Sequence, residues 1–529
     1  MSTSSILNEE VVTVRIRPRS TITTTALVLT VASTGLTACG SPTASSGGAP
    51  HAGGSVTIVE NTEQWKSLDP GARQVTPAKG MLAAIYDTLF TLTAEGAVQP
   101  ELASGYTTSP DGLTWTITLR PNVLFSDGTP FDAAAVKFNL ERQVSPSQHA
   151  GEGSYLPSDL TADAPDAHTV VIHLRQPFAP LATNLATHAV GMIASPAAVR
   201  KWGAEYGLHP VGAGPFTLQS QVVGQTATLV KNPHYWQPGR PYLDSVTWRV
   251  VSSADSALAT VTSGGAQVME QVRPLQASQA SGAANLDVVS TPALTQSFVS
   301  FNTTKAPFND VRARRAIASA IDQQTISAKL YNGLFKPSES MVGPGSWAYP
   351  GPHVQGYPEF DIAQAKQLND QVGGLSFTLI AQNTPDQQQL AQALQQQFAA
   401  AGIKVTIKPE EDVQMIGEWF SHNYTAMLFD FPGSVDPDSV TRTMFESTSS
   451  NNPTGISDPQ LDGLLKQGLQ AQAQSARKAI YDQVSQRLAQ LVPFAFVVGL
   501  PKITVLDKKV HGVPKVPWDG TFLTDAWLS

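Results

Sequence analysis

Between Phe377 and Phe429 the apolar residues change period in a fixed order, and that order narrows the possible folds more than any other feature of the chain. Phe377-Thr378-Leu379-Ile380 reads as a strand, and residues 386–401 carry Leu390, Leu394 and Phe398 on one helical stripe. Ile403, Val405 and Ile407 alternate as a second strand, followed by a helix over 413–420 and a strand over 425–429. A β-α-β-α-β order of this kind predicts a mostly parallel sheet with right-handed crossovers. Ile480, Val484 and Leu488 mark a late helix, and 494–498 a returning strand.

The first half is α/β as well, but richer in hairpins. Val56-Thr57-Ile58-Val59 is a first strand, and Met81, Leu82, Ile85 and Leu89 have helical spacing. Asp111-Gly112 is a turn signal before the alternating run 113–119. Asp132 can cap a helix over 133–143. Strands are expected at 169–174, 226–231 and 245–251, with Val246, Trp248 and Val250 on one face, and a short helix over 178–185. No internal repeat is visible. A body of about 475 residues exceeds what one core supports, so at least two lobes are expected. In such architectures ligands occupy the crevice at the carboxyl ends of the strands, and a hinge closes it.

The N-terminus adds a cellular address. Cys39, the only cysteine, closes Leu36-Thr37-Ala38-Cys39-Gly40 after an n-region with Arg15, Arg17 and Arg19 and an apolar centre over 26–32. That centre is far short of the ~20 apolar residues a spanning helix needs. The pattern resembles the bacterial lipobox, in which the thiol is acylated and the chain is cut just before it. Each buried CH₂ of an acyl chain contributes about 0.8 kcal/mol to anchoring. Residues 1–38 read as a lipoprotein signal peptide and 39–54, rich in Gly, Ser, Ala and Pro, as a flexible tether. The expected location is the outer face of the cytoplasmic membrane. Residues 1–14, with Glu9 and Glu10, are an unusual prefix for a signal peptide, and Val12 or Val14 is an alternative start.

The signal peptide takes 3 of 34 basic and 2 of 42 acidic side chains, leaving a net charge of −9. That balance argues against nucleic acid as a partner. Chemistry-bearing motifs are absent. No His-Glu-x-x-His, Cys-x-x-Cys or Gly-x-Ser-x-Gly occurs, and His168 and His173, five apart on a strand, face opposite sides. Gly212-Ala213-Gly214 lacks the third glycine of a dinucleotide loop, and Ser475-Ala476-Arg477-Lys478 has no companion motif. Catalysis, a bound metal and a cofactor therefore have no support in the sequence, although a metal carried as a chelate would leave no ligand motif.

A series of landmarks then appears in order: Leu68-Asp69-Pro70, Tyr86-Asp87-Thr88-Leu89-Phe90, the run 111–120, Phe125-Ser126-Asp127-Gly128-Thr129-Pro130-Phe131-Asp132 and Val136-Lys137-Phe138-Asn139. Further on come Gly212-Ala213-Gly214-Pro215-Phe216, Asn232-Pro233-His234-Tyr235-Trp236, Ala306-Pro307-Phe308-Asn309-Asp310, Asp436-Pro437-Asp438 and Asp458-Pro459-Gln460-Leu461-Asp462. Over roughly 55–500 the chain resembles the extracellular solute-binding proteins of the peptide/nickel class, which feed ABC importers. The resemblance implies a two-lobed periplasmic-binding-protein-like fold with an extra subdomain. Lobe I would comprise 55–90, 190–292 and 497–529, the subdomain 91–189, and lobe II 293–496. It also implies a monomeric, lipid-anchored receptor that is not an enzyme, binds a peptide or peptide-like solute, and delivers it to ABC permease transmembrane subunits. A surface sensor or chaperone using the same cleft is the alternative.

In oligopeptide-binding members of this class an aspartate just before the Asp-Pro step pairs with the peptide amine. Counted back from Asp436-Pro437, that position here is Gly433, and the segment reads Phe429-Asp430-Phe431-Pro432-Gly433. Three readings follow: Asp430 has taken over the amine, the ligand has none, or Asp430 is a solvated loop residue. The expected ligand-binding set is Asn61, Glu63 and Trp65 after the first strand, Gln382 and Asn383 at a strand end, and Phe429, Asp430, Phe431, Gly433 and Asp436.

Overall fold

The seven strands that open the fold come from three distant stretches of chain. In this computed structural model, which describes residues 49–61, 65–72, 76–145, 152–517 and 523–529, the order across the first sheet is 286–290, 503–507, 268–269, 55–60, 245–250, 226–231 and 216–222. Ser55–Glu60 pairs in parallel with Ser245–Val250 and Val268–Met269, while the outer strands are antiparallel. Val56, Ile58, Val246 and Trp248 are buried on the sheet, as their alternation requires. This is lobe I.

Lobe II is a six-stranded sheet in the order 336–337, 494–500, 295–301, 426–431, 376–382, 404–410. Ser376–Gln382 runs parallel to both Lys404–Glu410 and Ala426–Phe431, as the β-α-β-α-β reading requires, but the other three pairings are antiparallel. The sheet is therefore mixed rather than mostly parallel, because 295–301 inserts antiparallel between 426–431 and 494–500. The strand Phe494–Leu500 stays paired in this sheet to its last residue, so lobe II holds the chain past 496. The chain crosses between lobes twice, and the crossings touch: Thr291 N–H donates to Lys502 O at 3.0 Å.

The subdomain is an antiparallel four-stranded sheet, 103–108, 114–119, 169–173 and 161–163. The helix Ala133–Gln143 packs on it, and Asp132 Oδ1 caps that helix by accepting from Ala135 N–H at 2.8 Å. The core of the subdomain takes in Leu294 and Val435 of lobe II.

Two helices line the site, α1 (Thr76–Ile85) and α3 (Asp438–Phe445), while α2 (Pro385–Ala400) and α4 (Gln474–Leu491) hold side chains behind it. α1 stops at Ile85 rather than continuing to Leu89. The Gly212-Ala213-Gly214 landmark presses against its end, and Gly214 N–H donates to Ile85 O at 2.9 Å. A Cβ on Gly212 would come within 2.3 Å of that same carbonyl, so only glycine permits the approach. Among the described residues no helix is long and apolar enough to cross a membrane.

Candidate functional site

Lobe I, the subdomain and lobe II meet around a cavity of about 260 Å³. α1 contributes Lys79 and Leu82, and the subdomain contributes Tyr155, Asn184 and His188. Lobe II supplies the segment Phe431–Val435, which leaves the carboxyl end of its strand, together with Asp438 and Arg442 on α3. The volume lies just below the roughly 300–1,000 Å³ common for small-molecule sites. Tyr155 and His188 stack with ring centroids 3.6 Å apart, and Asn184 Nδ2 pins the Tyr155 backbone by donating to its carbonyl at 2.8 Å. Contacts join the two sides of the cleft beside this space. Ser439 Oγ donates to Asn184 Oδ1 at 3.3 Å, Ala179 N–H to Leu469 O at 3.0 Å, and Arg273 pairs with Asp386 at 3.3 Å.

The charged wall is built from behind. Arg477 of α4 clamps Asp436 through two bonds, Nη1 to Oδ2 at 2.5 Å and Nη2 to Oδ1 at 2.7 Å, with both side chains buried. Burial works to lower the Arg477 pKa, but the Asp436 charge outweighs it and holds the guanidinium above its usual range. Asp436 Oδ1 also accepts from Asp438 N–H at 3.1 Å. Asp438 is buried in turn. Its Oδ1 accepts from Tyr481 Oη–H at 3.1 Å and its Oδ2 from Arg442 Nε at 3.0 Å. Burial raises the Asp438 pKa, and the positive charge of Arg442 opposes that rise. The second ion-pair contact of Arg442, to Glu446, is long at 4.0 Å.

The structure separates the residues singled out from the sequence. Phe431 and Gly433 line the cavity. A Cβ at Gly433 would approach Leu294 O to 2.3 Å, so the wall there is bare backbone packed on backbone. Phe429 stacks on Trp419 with centroids 4.6 Å apart and backs the same face as Phe431. Asp430, between them, points to the other face of the strand, where Gln387 of α2 donates to its Oδ2 at 2.6 Å. Burial pushes its pKa up to about 6, with the Ser297 and Gln387 side chains pulling the other way. It does not line the cavity. Neither does Asp436, which is committed to Arg477 and to the Asp438 N–H.

The remaining positions lie off the cavity wall. Trp65 is 1% exposed in the lobe I core, its indole N–H donating to Gln221 Oε1 at 3.1 Å. Asn61 Nδ2 donates to Val251 O at 3.2 Å. Gln382 is half-buried at its strand end and accepts from Gln388 through its carbonyl at 2.9 Å, while the exposed Asn383 donates to Glu411 at 3.0 Å. Glu63 and Cys39 fall outside the described residues.

Sequence reasoning missed Lys79, Tyr155, Asn184, His188 and Arg442. Only Arg442 left a trace, as the i+4 partner of Asp438 directly after the Asp-Pro-Asp landmark. The others are brought in by connections of no distinctive sequence.

Comparison with known proteins bears on the family and the fold. The model of the bacterial extracellular solute-binding proteins, family 5 Middle, matches residues 97–452. The chain is 36% identical over 365 residues to the glutathione-binding protein GsiB of Salmonella paratyphi A, covering 68% of this chain and 70% of that protein. It is 30% identical over 516 residues to the glutathione-binding protein GsiB of Escherichia coli O1:K1, covering 93% and 98%. In fold it is similar to the ABC transporter substrate-binding protein CtaP of Listeria monocytogenes, with a TM-score of 0.79 at 21% identity over 90% of this chain and 99% of that one.

Proposed function

Because the chain belongs to the bacterial extracellular solute-binding proteins of family 5, which bind peptides or related solutes for ABC importers, we propose that it captures a tripeptide-sized solute and delivers it unaltered to a membrane permease. The observation that carries this reading is the cavity of about 260 Å³ where three parts of the fold converge. Its size favours a short solute over a long peptide. Similarity to proteins named for glutathione binding makes glutathione the first solute to test.

The mechanism is a shift of population. A solute touching α1 and the subdomain on one side and the 431–435 segment and α3 on the other stabilises the closed form by its differential affinity for it. The two hydrogen-bonded crossings are the natural hinge, since few backbone torsions there separate two rigid sheets. The closed form would dock on the permease, and acylation of Cys39 would keep the receptor at the outer face of the cytoplasmic membrane.

Two measurements test the proposal. Calorimetric titration of the mature chain with reduced glutathione and with trialanine should show binding of at least one, and recovery of that solute intact should follow. Deleting the gene should reduce uptake of the bound solute. No binding of either tripeptide would end this reading, and unchanged uptake would point to a sensor instead.

A further inference from the structure

We infer that Arg442 is the residue by which this receptor reads its solute, through a carboxylate, and that the solute's amine contributes little. The inference rests on the proposed solute capture and specifies the chemical class: a solute with at least one free carboxylate, amine optional.

Three observations converge. First, Arg442 lines the cavity with an unfilled fork. A guanidinium carries five N–H donors. Arg442 spends Nε on Asp438 at 3.0 Å and approaches Glu446 only at 4.0 Å. The remaining N–H groups have no hydrogen-bond partner among the described residues, and the side chain is 28% exposed. A planar fork of this kind matches a carboxylate through two parallel bonds.

Second, the fork is aimed before any solute arrives. Asp438 is held by Tyr481 and by Asp436, and Asp436 by Arg477, so a buried chain of bonds sets the direction of Arg442. Such preorganisation reduces the ordering cost of binding.

Third, the carboxylates on the wall are already engaged. At Gly433 the backbone leaves no room for a side chain, and Asp430 is turned to the opposite face of its strand with Gln387. Asp438 is committed to Arg442 and Tyr481, and Glu152 has a contact of its own. Lys79 also lines the wall, with a contact of its own.

The test uses reduced glutathione and trialanine, each as the free acid, with its carboxylates esterified, and with its amine acetylated, titrated into the mature chain and into Arg442→Gln. For the wild type, esterification should weaken binding about tenfold or more and acetylation by less than about threefold, as loss of a charge-assisted bond predicts. In Arg442→Gln the preference for acid over ester should fall below about threefold, with Arg442→Lys between, since it keeps the charge without the fork. An acid preference undiminished in Arg442→Gln overturns the inference and leaves the receptor reading standing. So does a wild type that loses more on acetylation than on esterification, a comparison that needs no variant to fold. Failure of every probe to bind the wild type overturns both.

Discussion

Asp436 and Asp438 stand two residues apart, both buried, each held by an arginine. Removing one partner of a buried, doubly bonded pair leaves an uncompensated charge, which costs about 3–5 kcal/mol. Arg477→Met should therefore lower unfolding stability by that amount in urea titrations, whereas Arg442→Gln, with its side chain partly in the cavity, should cost less. Asp430 behaves differently because its folded pKa of about 6 lies above its ordinary value of 3.8. Between about pH 4 and 6 the folded state holds the proton and the unfolded state does not. The contribution of Asp430 to stability is then fully present below about pH 4 and falls as pH rises through 6. A shift of about two pKa units corresponds to roughly 3 kcal/mol. Asp430→Asn should remove this dependence and be more stable than wild type at pH 7 by up to that amount, with solute affinity unchanged. A loss of affinity in that variant would place Asp430 in the site after all.

At the scale of elements, the helices are set by caps and stripes that can be read locally. Asp132 is an instance: it caps the helix over the subdomain sheet from an extended backbone, its carboxylate meeting a main-chain N–H. Asp132→Ala should cost about 1 kcal/mol, measured as a lowered thermal midpoint, because one first-turn donor loses its partner. The parallel pairing of 376–382 with both neighbours was equally legible, since strand-helix-strand order leaves few other connections. The end of α1 was not. Leu89 keeps helical spacing with Ile85, but Gly214, far away in sequence, satisfies the Ile85 carbonyl and turns the chain out. A period of 3.6 describes one segment and carries no information about the backbone that will pack across its end.

At the scale of the whole molecule, the proposed closure and the proposed anchoring are separate devices. Cys39→Ala should leave the precursor unprocessed and without lipid, without changing solute affinity in the folded body. Normal processing of that variant, read by mass spectrometry, would remove the anchor. The sequence by itself determined the α/β class, the parallel pairing of 376–382 with its neighbours and the landmarks of the family, because these depend on period, caps and turns within short windows. Only the tertiary structure decided which polar groups face the cavity. Asp430 and Phe431 are neighbours in the chain and point to opposite faces of one strand, while Asp436 is consumed by an arginine forty-one positions away. Conversely, Lys79, His188 and Arg442 share a wall although hundreds of residues separate them, a proximity created by two crossings between lobes. Local periodicity fixes which side of an element is apolar, and the packing of distant elements fixes which polar groups face the cavity.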